Sequence, residues 1–93
     1  MSEFKQDIHN ILAHLEEVLV KKNIDYGNSF DKQMDEFGIT AGLIRISDKF
    51  SRLKELSKKD HEQQVNDEAL DDTVLDLMGY ATLLYRYLQN GKK

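Results

Sequence analysis

The chain of 93 residues contains no cysteine and no proline. Without cysteine, disulfide bonds, thiolate chemistry and sulfur-ligated zinc are all excluded. Without proline, and with only five glycines among many Leu, Lys, Glu and Asp residues, the sequence favours long helices over strands. No apolar run approaches the roughly 20 residues that span a bilayer, and the start, MSEFKQDIHN, resembles neither a signal peptide nor a presequence. We therefore expect a soluble cytoplasmic protein with no membrane partner.

The chain also has fewer basic than acidic residues. Seventeen Asp and Glu residues stand against thirteen Lys and Arg residues, which gives a formal net charge of -4. A diffuse positive field that holds nucleic acid is thereby excluded, and only a local basic stripe could contact phosphates.

The length fits one domain, residues 1–93, and a chain this short buries only roughly 60% of its unfolded surface. We therefore expect a homo-oligomer, most simply a dimer.

Four segments have apolar residues at steps of three and four, the period of one helical face. They predict helices over residues 3–22, 31–37, 40–57 and 66–89. Residues 23–30 are predicted to form a loop and residues 57–64 a solvated connection. Thr40 and Asn66 are the expected N-caps, and Gly38 and Gly91 the expected stops, Gly38 in a left-handed conformation. The predicted fold class is all-α: a small bundle of three long helices plus a short one, completed by dimerisation.

Apolar stripes on the last two predicted helices indicate which faces pack. The third helix has Leu43, Ile46, Phe50 and Leu53 on one side, and its opposite side is charged. The last helix has a longer stripe, which makes it the expected central element of the bundle: Leu70, Val74, Leu77, Ala81, Leu84 and Leu88. Its second half is apolar almost all round. One intramolecular face cannot use that much apolar surface, which favours burial against a second subunit.

A row of carboxylates follows the last helix. Glu68, Asp72 and Asp76 are one turn apart. Asp76 flanks the apolar stripe, where an unpaired charge is costly to desolvate. Oxygen ligands from several carboxylates are what Mg²⁺ or Mn²⁺ prefers, so one interpretation is a metal site. The alternative is that these acids pair with lysines or arginines of a neighbouring helix.

Two further groups could contact a ligand. Arg45, Lys49 and Arg52 form a cationic row that could receive phosphates; in the alternative interpretation it is a solvated face in which Asp48 pairs with Arg45 or Arg52. The segment KNIDYGNSF, residues 22–30, offers side chains suited to base, ribose and phosphate contacts, although the same residue types are ordinary turn chemistry.

Three segments in order resemble the signature segments of a known helical family. They are KNIDYGNSF, IRISDKFSRLKEL and NDEALDDTVLDLMGYATLL. The family is called nucleotide modification associated domain 1, was formerly a domain of unknown function, and is frequent in phages and Gram-positive bacteria. The resemblance covers roughly residues 22–88.

A more distant similarity is to the all-α nucleoside triphosphate pyrophosphohydrolases of the MazG and dimeric dUTPase kind. Those enzymes are helical bundles, usually dimers, in which acidic pairs on two helices bind Mg²⁺ and water attacks a nucleotide phosphate. The segment DDTVLDLMGYATLL is similar to their second acidic helix. Asp76 matches its terminal aspartate, while Thr73 stands where a glutamate is usual. Asp48 and Glu55 represent their first motif.

These resemblances imply two competing hypotheses. The first is an Mg²⁺-dependent protein that binds, or hydrolyses as a pyrophosphohydrolase, a noncanonical or modified nucleotide. Asp72 and Asp76 would be catalytic, the metal ligands would come from Glu68, Asp72, Asp76 and Asp48, and the substrate would contact Lys22, Tyr26, Asn28, Arg45, Lys49 and Arg52. The alternative is a noncatalytic helical phage accessory factor that binds a nucleotide or another protein.

Overall fold

The structure is a computed structural model that describes residues 2–26, 28–58 and 63–91; side chains are described for all of these except Tyr26 and residues 63–68. Every regular element in these ranges is a helix, which confirms the all-α prediction. The four helices are α1 (Ser2–Tyr26), α2 (Ser29–Phe37), α3 (Thr40–Ser57) and α4 (Gln63–Gly91). Within the described part of the chain, no helix is long and apolar enough to cross a membrane.

The first connection is much shorter than the predicted loop of residues 23–30. α1 continues to Tyr26 and α2 begins at Ser29, so Asn23 and Asp25 belong to the last turn of α1. Asn28 precedes α2 in the left-handed conformation, with φ of 63° and ψ of 34°, which asparagine tolerates better than most residues. The loop prediction was wrong because the low helix propensity of Asn and Asp costs only a fraction of a kcal/mol per residue.

The connection between α2 and α3 is centred on Gly38. Its φ of 79° has the sign expected for a glycine stop, but its ψ of -172° is extended and not left-handed helical. Its N–H donates to the carbonyl oxygen of Met34 at 2.8 Å. Thr40 is not the N-cap that the sequence predicted, because it is the first residue of α3 and forms no side-chain capping bond. A backbone hydrogen bond stabilises this helix start instead, because the N–H of Ala41 donates to the carbonyl oxygen of Gly38 at 3.0 Å.

α4 begins earlier than predicted. It starts at Gln63 and includes Gly91, so Asn66 lies inside the helix and not at its cap. Residues 59–62 of the predicted polar connection lie outside the described ranges.

The centre of the fold is the antiparallel pair of α3 and α4. Arg45 meets Tyr80 and Lys49 meets Asp76, so residue numbers rise along one helix as they fall along the other. α2 packs on α3, and α1 contacts α4 more sparsely. α3 and α4 therefore share the central position, whereas the sequence predicted α4 alone.

The buried apolar core is small. Among the described residues, the buried hydrophobic side chains are those of Leu15, Phe30 and Met34. Met34 is only 1% exposed, and its Sδ would lie 3.1 Å from a Cβ added at Gly42. The core therefore lies where α2 meets α3, and Gly42 allows this close approach.

Two polar contacts fix α2 to the end of α4. Arg86 Nη1 donates to Asp31 Oδ2 at 2.7 Å, and the Tyr87 hydroxyl donates to Asp35 Oδ1 at 2.7 Å. The hydrogen bond to Asp35 raises the pKa of Tyr87, with smaller contributions in the same direction from desolvation and from the nearby carboxylate charges.

The predicted packing faces of α3 and α4 are used only in part, since Leu84 of the α4 stripe packs at Gly42 of α3 and other members stay exposed. α3 directs Gly42 and Lys49 inward, while Leu43 and Phe50 are 49% and 55% exposed. α4 buries Thr73, whose hydroxyl donates to the Ala69 carbonyl oxygen at 2.6 Å. The predicted stripe of α4 lies at the edge of the interface, and its members Val74 and Leu88 are 43% and 40% exposed. Apolar periodicity identified one edge of the contact, where Leu84 meets Gly42, whereas its centre also contains a hydrogen bond and an ion pair between the helices.

Candidate functional site

A cavity of about 280 Å³ lies between α1, α3 and α4, beside the start of α2. One part of its lining is apolar: Leu15, Val18, Leu19, Leu75, Gly79 and Leu83. The other part is charged, polar or aromatic: Lys22, Asn23, Ser29, Phe30, Arg45, Lys49, Asp76 and Tyr80. Its volume is close to the lower end of small-molecule sites, and this mixture of walls is typical of them.

Asp76 lies between two lysines from different helices. Its Oδ2 is 3.0 Å from Lys49 Nζ on α3, and its Oδ1 is 3.6 Å from Lys22 Nζ near the end of α1. The side chain of Asp76 is 32% exposed, and those of Lys49 and Lys22 are 28% and 53% exposed. All three charged groups can therefore reach solvent or a ligand at the mouth of the cavity.

α1 is positioned for this contact by a glycine on α4. A Cβ added at Gly79 would lie 3.3 Å from Leu19 Cδ2, so the absence of a side chain there lets the two helices approach closely. Lys22 follows Leu19 by nearly one helical turn and is thereby brought to Asp76.

Arg45 lies one turn before Lys49 and contacts an aromatic pair. Its Nη2 donates to Gln33 Oε1 at 2.6 Å and its Nη1 to the Tyr80 hydroxyl at 3.3 Å. Its guanidinium carbon is 5.6 Å from the centre of the Tyr80 ring. The rings of Phe30 and Tyr80 are stacked, with centroids 6.4 Å apart. A planar cation and two aromatic rings thus occupy one end of the cavity.

The cavity has the opposite charge sign to the chain as a whole. Three cationic side chains, Lys22, Arg45 and Lys49, and one carboxylate, Asp76, line it, which leaves a net charge of +2. The complete chain has a formal charge of -4. A local positive site in an acidic protein favours a small anion over a large polyanion such as nucleic acid.

The structure brings together four of the residues that the sequence singled out: Lys22, Arg45, Lys49 and Asp76. Arg45 does not point along the helix towards Asp48, as one interpretation expected, but bonds across helices to Gln33 and Tyr80. Asp76 contacts lysines of two other helices, which is the alternative considered for the acidic row.

Other predicted residues lie outside the cavity. Asn28 lines an adjoining groove of about 490 Å³ between α1 and α4, which shares Leu15, Leu19, Asn23 and Leu83 with the cavity. Asp48, Arg52 and Asp72 are exposed and do not line the cavity. Tyr26 and Glu68 were also predicted to belong to the site, but their side chains lie outside the part of the structure that is described. Among the side chains that are described, no three acidic or histidine residues form a group able to hold a metal ion.

Sequence reasoning missed the aromatic end of the cavity. Tyr80 was counted only as part of an apolar helix, and Phe30 only as the end of a turn segment. A usable signal was present, because Tyr80 follows Asp76 by four residues and therefore lies one turn along the same face of α4. Gln33 had no such signal, since only the packing of α2 on α3 brings it to Arg45.

The fold and the cavity define a small all-α protein with a cationic, aromatic-lined pocket. Residues 22–85 match the family described as nucleotide modification associated domain 1. The match covers more than half of the chain, and the chain belongs to this family. It includes every charged and aromatic residue of the cavity. No curated protein and no solved structure matches the chain, so the similarity to pyrophosphohydrolases stays a prediction.

Proposed function

We propose that this protein binds a nucleotide in the cavity between α1, α3 and α4, and that it does so as a homodimer. The observation that carries the proposal is the pair of lysines, Lys22 and Lys49, held together at the mouth of a cavity whose other end is aromatic. A nucleotide has the same two parts, an anionic phosphate and a planar base. The family's description, which associates it with nucleotide modification, supports a ligand of this class.

The phosphate would contact the two lysine ammonium groups. Ammonium groups bind phosphate as point charges that donate hydrogen bonds. In the structure the Asp76 carboxylate contacts both ammonium groups. A phosphate that enters must share or replace these contacts, and Asp76 therefore sets how tightly an anion binds.

The base would lie at the end formed by Arg45, Phe30 and Tyr80. Aromatic rings and a guanidinium plane both stack on bases, and such stacking is worth about 1–3 kcal/mol per base. Tyr80 is one helical turn from Asp76, and Arg45 one turn from Lys49. One turn advances about 5.4 Å, a separation that a nucleotide can span between base and phosphate.

A second candidate is Mg²⁺-dependent hydrolysis of a nucleoside triphosphate. It is supported by the position of Asp76, whose carboxylate lies in the cavity beside both lysines. Mg²⁺ uses one or two carboxylates together with substrate phosphates, so Asp76 could hold an ion that arrives with a nucleotide, whereas Asp72 does not line the cavity. Such an ion would neutralise phosphate charge. The reaction itself would break the bond between the α- and β-phosphates by addition of water, with release of pyrophosphate.

The binding proposal is tested by calorimetric titration with a panel of nucleoside mono-, di- and triphosphates in the presence of EDTA. We expect at least one nucleotide to bind, and Lys49→Met and Lys22→Met each to weaken it by roughly tenfold, the value of one charge-assisted contact. Lys21→Met is the matched control, because Lys21 is adjacent to Lys22 but exposed and outside the cavity. If no nucleotide binds, or if Lys21→Met weakens binding as much as Lys22→Met, the cavity is not the nucleotide site.

Hydrolysis is tested separately by adding Mg²⁺ and measuring release of pyrophosphate. Turnover that Asp76→Asn abolishes would support the second candidate. Binding that persists in EDTA, with no turnover of any triphosphate in Mg²⁺, would support the noncatalytic binding function and exclude the hydrolysis candidate.

A further inference from the structure

The apolar stripes of α3 and α4 remain largely uncovered by the rest of the described chain. Leu43 and Phe50 on α3 and Val74 and Leu88 on α4 are between 40% and 55% exposed. Ala81 is also exposed, and the other members of the stripes are half-buried: Ile46, Leu53, Leu70, Leu77 and Leu84. Much of the amphipathic pattern of the two helices is therefore not used within one chain.

Both stripes lie on the same side of the helix pair. At 100° per residue, Leu43 and Phe50 are displaced by roughly a quarter turn from Lys49, which faces α4. Val74 is displaced by a similar angle, in the same rotational sense, from Tyr80, which faces α3. In two antiparallel helices packed side by side, residues displaced by the same angle in the same rotational sense from the contact line lie on the same side of the helix pair. The two stripes therefore form a single surface, the α3–α4 apolar face.

The cavity and α1 lie on the opposite side of the pair. α1 approaches α4 at Gly79, which is displaced from Tyr80 in the other rotational sense. α1 therefore cannot cover the α3–α4 apolar face. The exposed apolar residues at the start of α1, such as Phe4 and Ile8, are not part of this face either.

The surface area of one chain shows how much burial is missing. The accessible surface is 7330 Å², whereas a folded monomer of 10.8 kDa is expected to expose about 5500 Å². The radius of gyration, 15.2 Å, likewise exceeds the roughly 12 Å expected of a compact chain of this length. This excess of roughly 1800 Å² is spread over exposed apolar side chains of α1, such as Phe4 and Ile24, as well as the α3–α4 apolar face, so the face accounts for only part of it.

We propose that the α3–α4 apolar face binds the same face of a second copy of this chain, to form a four-helix dimer core. From Leu70 to Leu88 the face is about 27 Å long, and two helices side by side are about 20 Å wide. Its flat area is thus roughly 500 Å², and its accessible area approaches the roughly 800 Å² per partner of a standard interface. A second copy supplies an identical apolar face, and the small core of the single chain gives each copy the same need for burial.

The test compares two apolar residues of α3 that are equally exposed in the single chain. Phe50 lies on the α3–α4 apolar face and Ile44 on the outer side of the helix, and each is 55% exposed. Sedimentation of the 93-residue protein should show a dimer for the unmodified chain and for Ile44→Glu. Phe50→Glu should raise the dissociation constant by at least about 100-fold, since it places a carboxylate in an apolar interface. A monomeric unmodified chain, a Phe50→Glu variant that still dimerises, or equal dissociation by both variants would overturn the proposal.

A second measurement covers the case in which Phe50→Glu does not fold. The chain has no cysteine, so Leu43→Cys and Ile44→Cys each introduce one thiol, at adjacent positions on and off the face. The rate of maleimide labelling at Leu43→Cys should fall as protein concentration rises through the dimerisation range, while the rate at Ile44→Cys stays constant. Equal rates at all concentrations would contradict the proposed interface.

Discussion

The substitution Asp76→Asn separates the two candidate functions most sharply, because they predict opposite effects on the ligand. The variant removes one negative charge from the cavity and leaves its shape nearly unchanged. Asp76 contacts Lys49 at 3.0 Å and Lys22 at 3.6 Å. Without it, the three cationic side chains of the cavity are no longer opposed, and the net charge of the lining rises from +2 to +3.

The size of the effect follows from the exposure of these groups. The three side chains are between 28% and 53% exposed, so solvent screens their interactions. A phosphate about 4 Å from a carboxylate is repelled by about 1 kcal/mol per unit charge under such screening. Loss of this repulsion should tighten metal-free nucleotide binding by about fivefold. The loss of two partly exposed ion pairs should lower the free energy of unfolding by no more than about 1 kcal/mol.

Calorimetric titration in EDTA measures the predicted gain in nucleotide affinity. This gain should diminish at high salt, because salt screens the charges involved. Asp72→Asn is the control, since Asp72 is exposed and does not line the cavity. If the acids instead serve mainly to hold Mg²⁺, Asp76→Asn should reduce binding in Mg²⁺ and bring no gain in EDTA. Weaker binding of the Asp76→Asn variant in EDTA would refute the assignment of Lys22 and Lys49 as the phosphate contacts.

Three further substitutions test the packing around the site. Met34→Ala should lower the free energy of unfolding by about 2–5 kcal/mol in urea titrations, because it empties the most buried apolar position; a loss below about 1 kcal/mol would contradict that assignment. Arg45→Lys should cost about 1 kcal/mol, since Gln33 Oε1 loses a donor at 2.6 Å, and the loss should shrink in a Gln33→Ala background without vanishing, because Arg45 also contacts Tyr80. Tyr87→Phe tests pH dependence: Asp35 raises the pKa of Tyr87 above 10.0, so the folded chain holds this proton more tightly than the unfolded chain. The unmodified protein should therefore lose stability as pH rises above about 10, and thermal melts should show a smaller loss for Tyr87→Phe.

Helix positions and much of the charged site could be predicted from local sequence. The third helix was predicted to within one residue of its observed bounds, because a glycine at residue 38 and a polar connection after residue 57 frame its apolar repeat. Lys49 and Asp76 could be singled out because each interrupts or flanks an apolar stripe. Their contact could not be predicted, since it depends on the register of two antiparallel helices, which spacing within each helix does not define.

Errors at helix ends have a common physical origin. Asn23 and Asp25 were interpreted as a loop, and Thr40 and Asn66 as caps, from residue type alone. In the structure each belongs to a helix. Preferences of this kind amount to about 1 kcal/mol or less, so the extra backbone hydrogen bonds of a longer helix outweigh them.

The incomplete burial of the predicted packing faces is of a different kind and is informative about assembly. Amphipathic patterns usually identify the buried face because burying a large aliphatic or aromatic side chain is worth about 1.5–3 kcal/mol. α3 and α4 bury only one edge of their stripes, where Leu84 meets Gly42, and otherwise also meet through polar residues that line the cavity: Arg45, Lys49, Asp76 and Tyr80. If the apolar stripes faced solvent, both helices would expose large apolar side chains to water, which is energetically unfavourable. If they are covered by a second copy, the same pattern places the ligand cavity on one side of the helix pair and the subunit interface on the other. Phe50→Glu should then dissociate the dimer while the cavity side chains themselves remain unaltered. Any nucleotide affinity lost in that variant would measure how far dimerisation stabilises the α3–α4 pair that holds them.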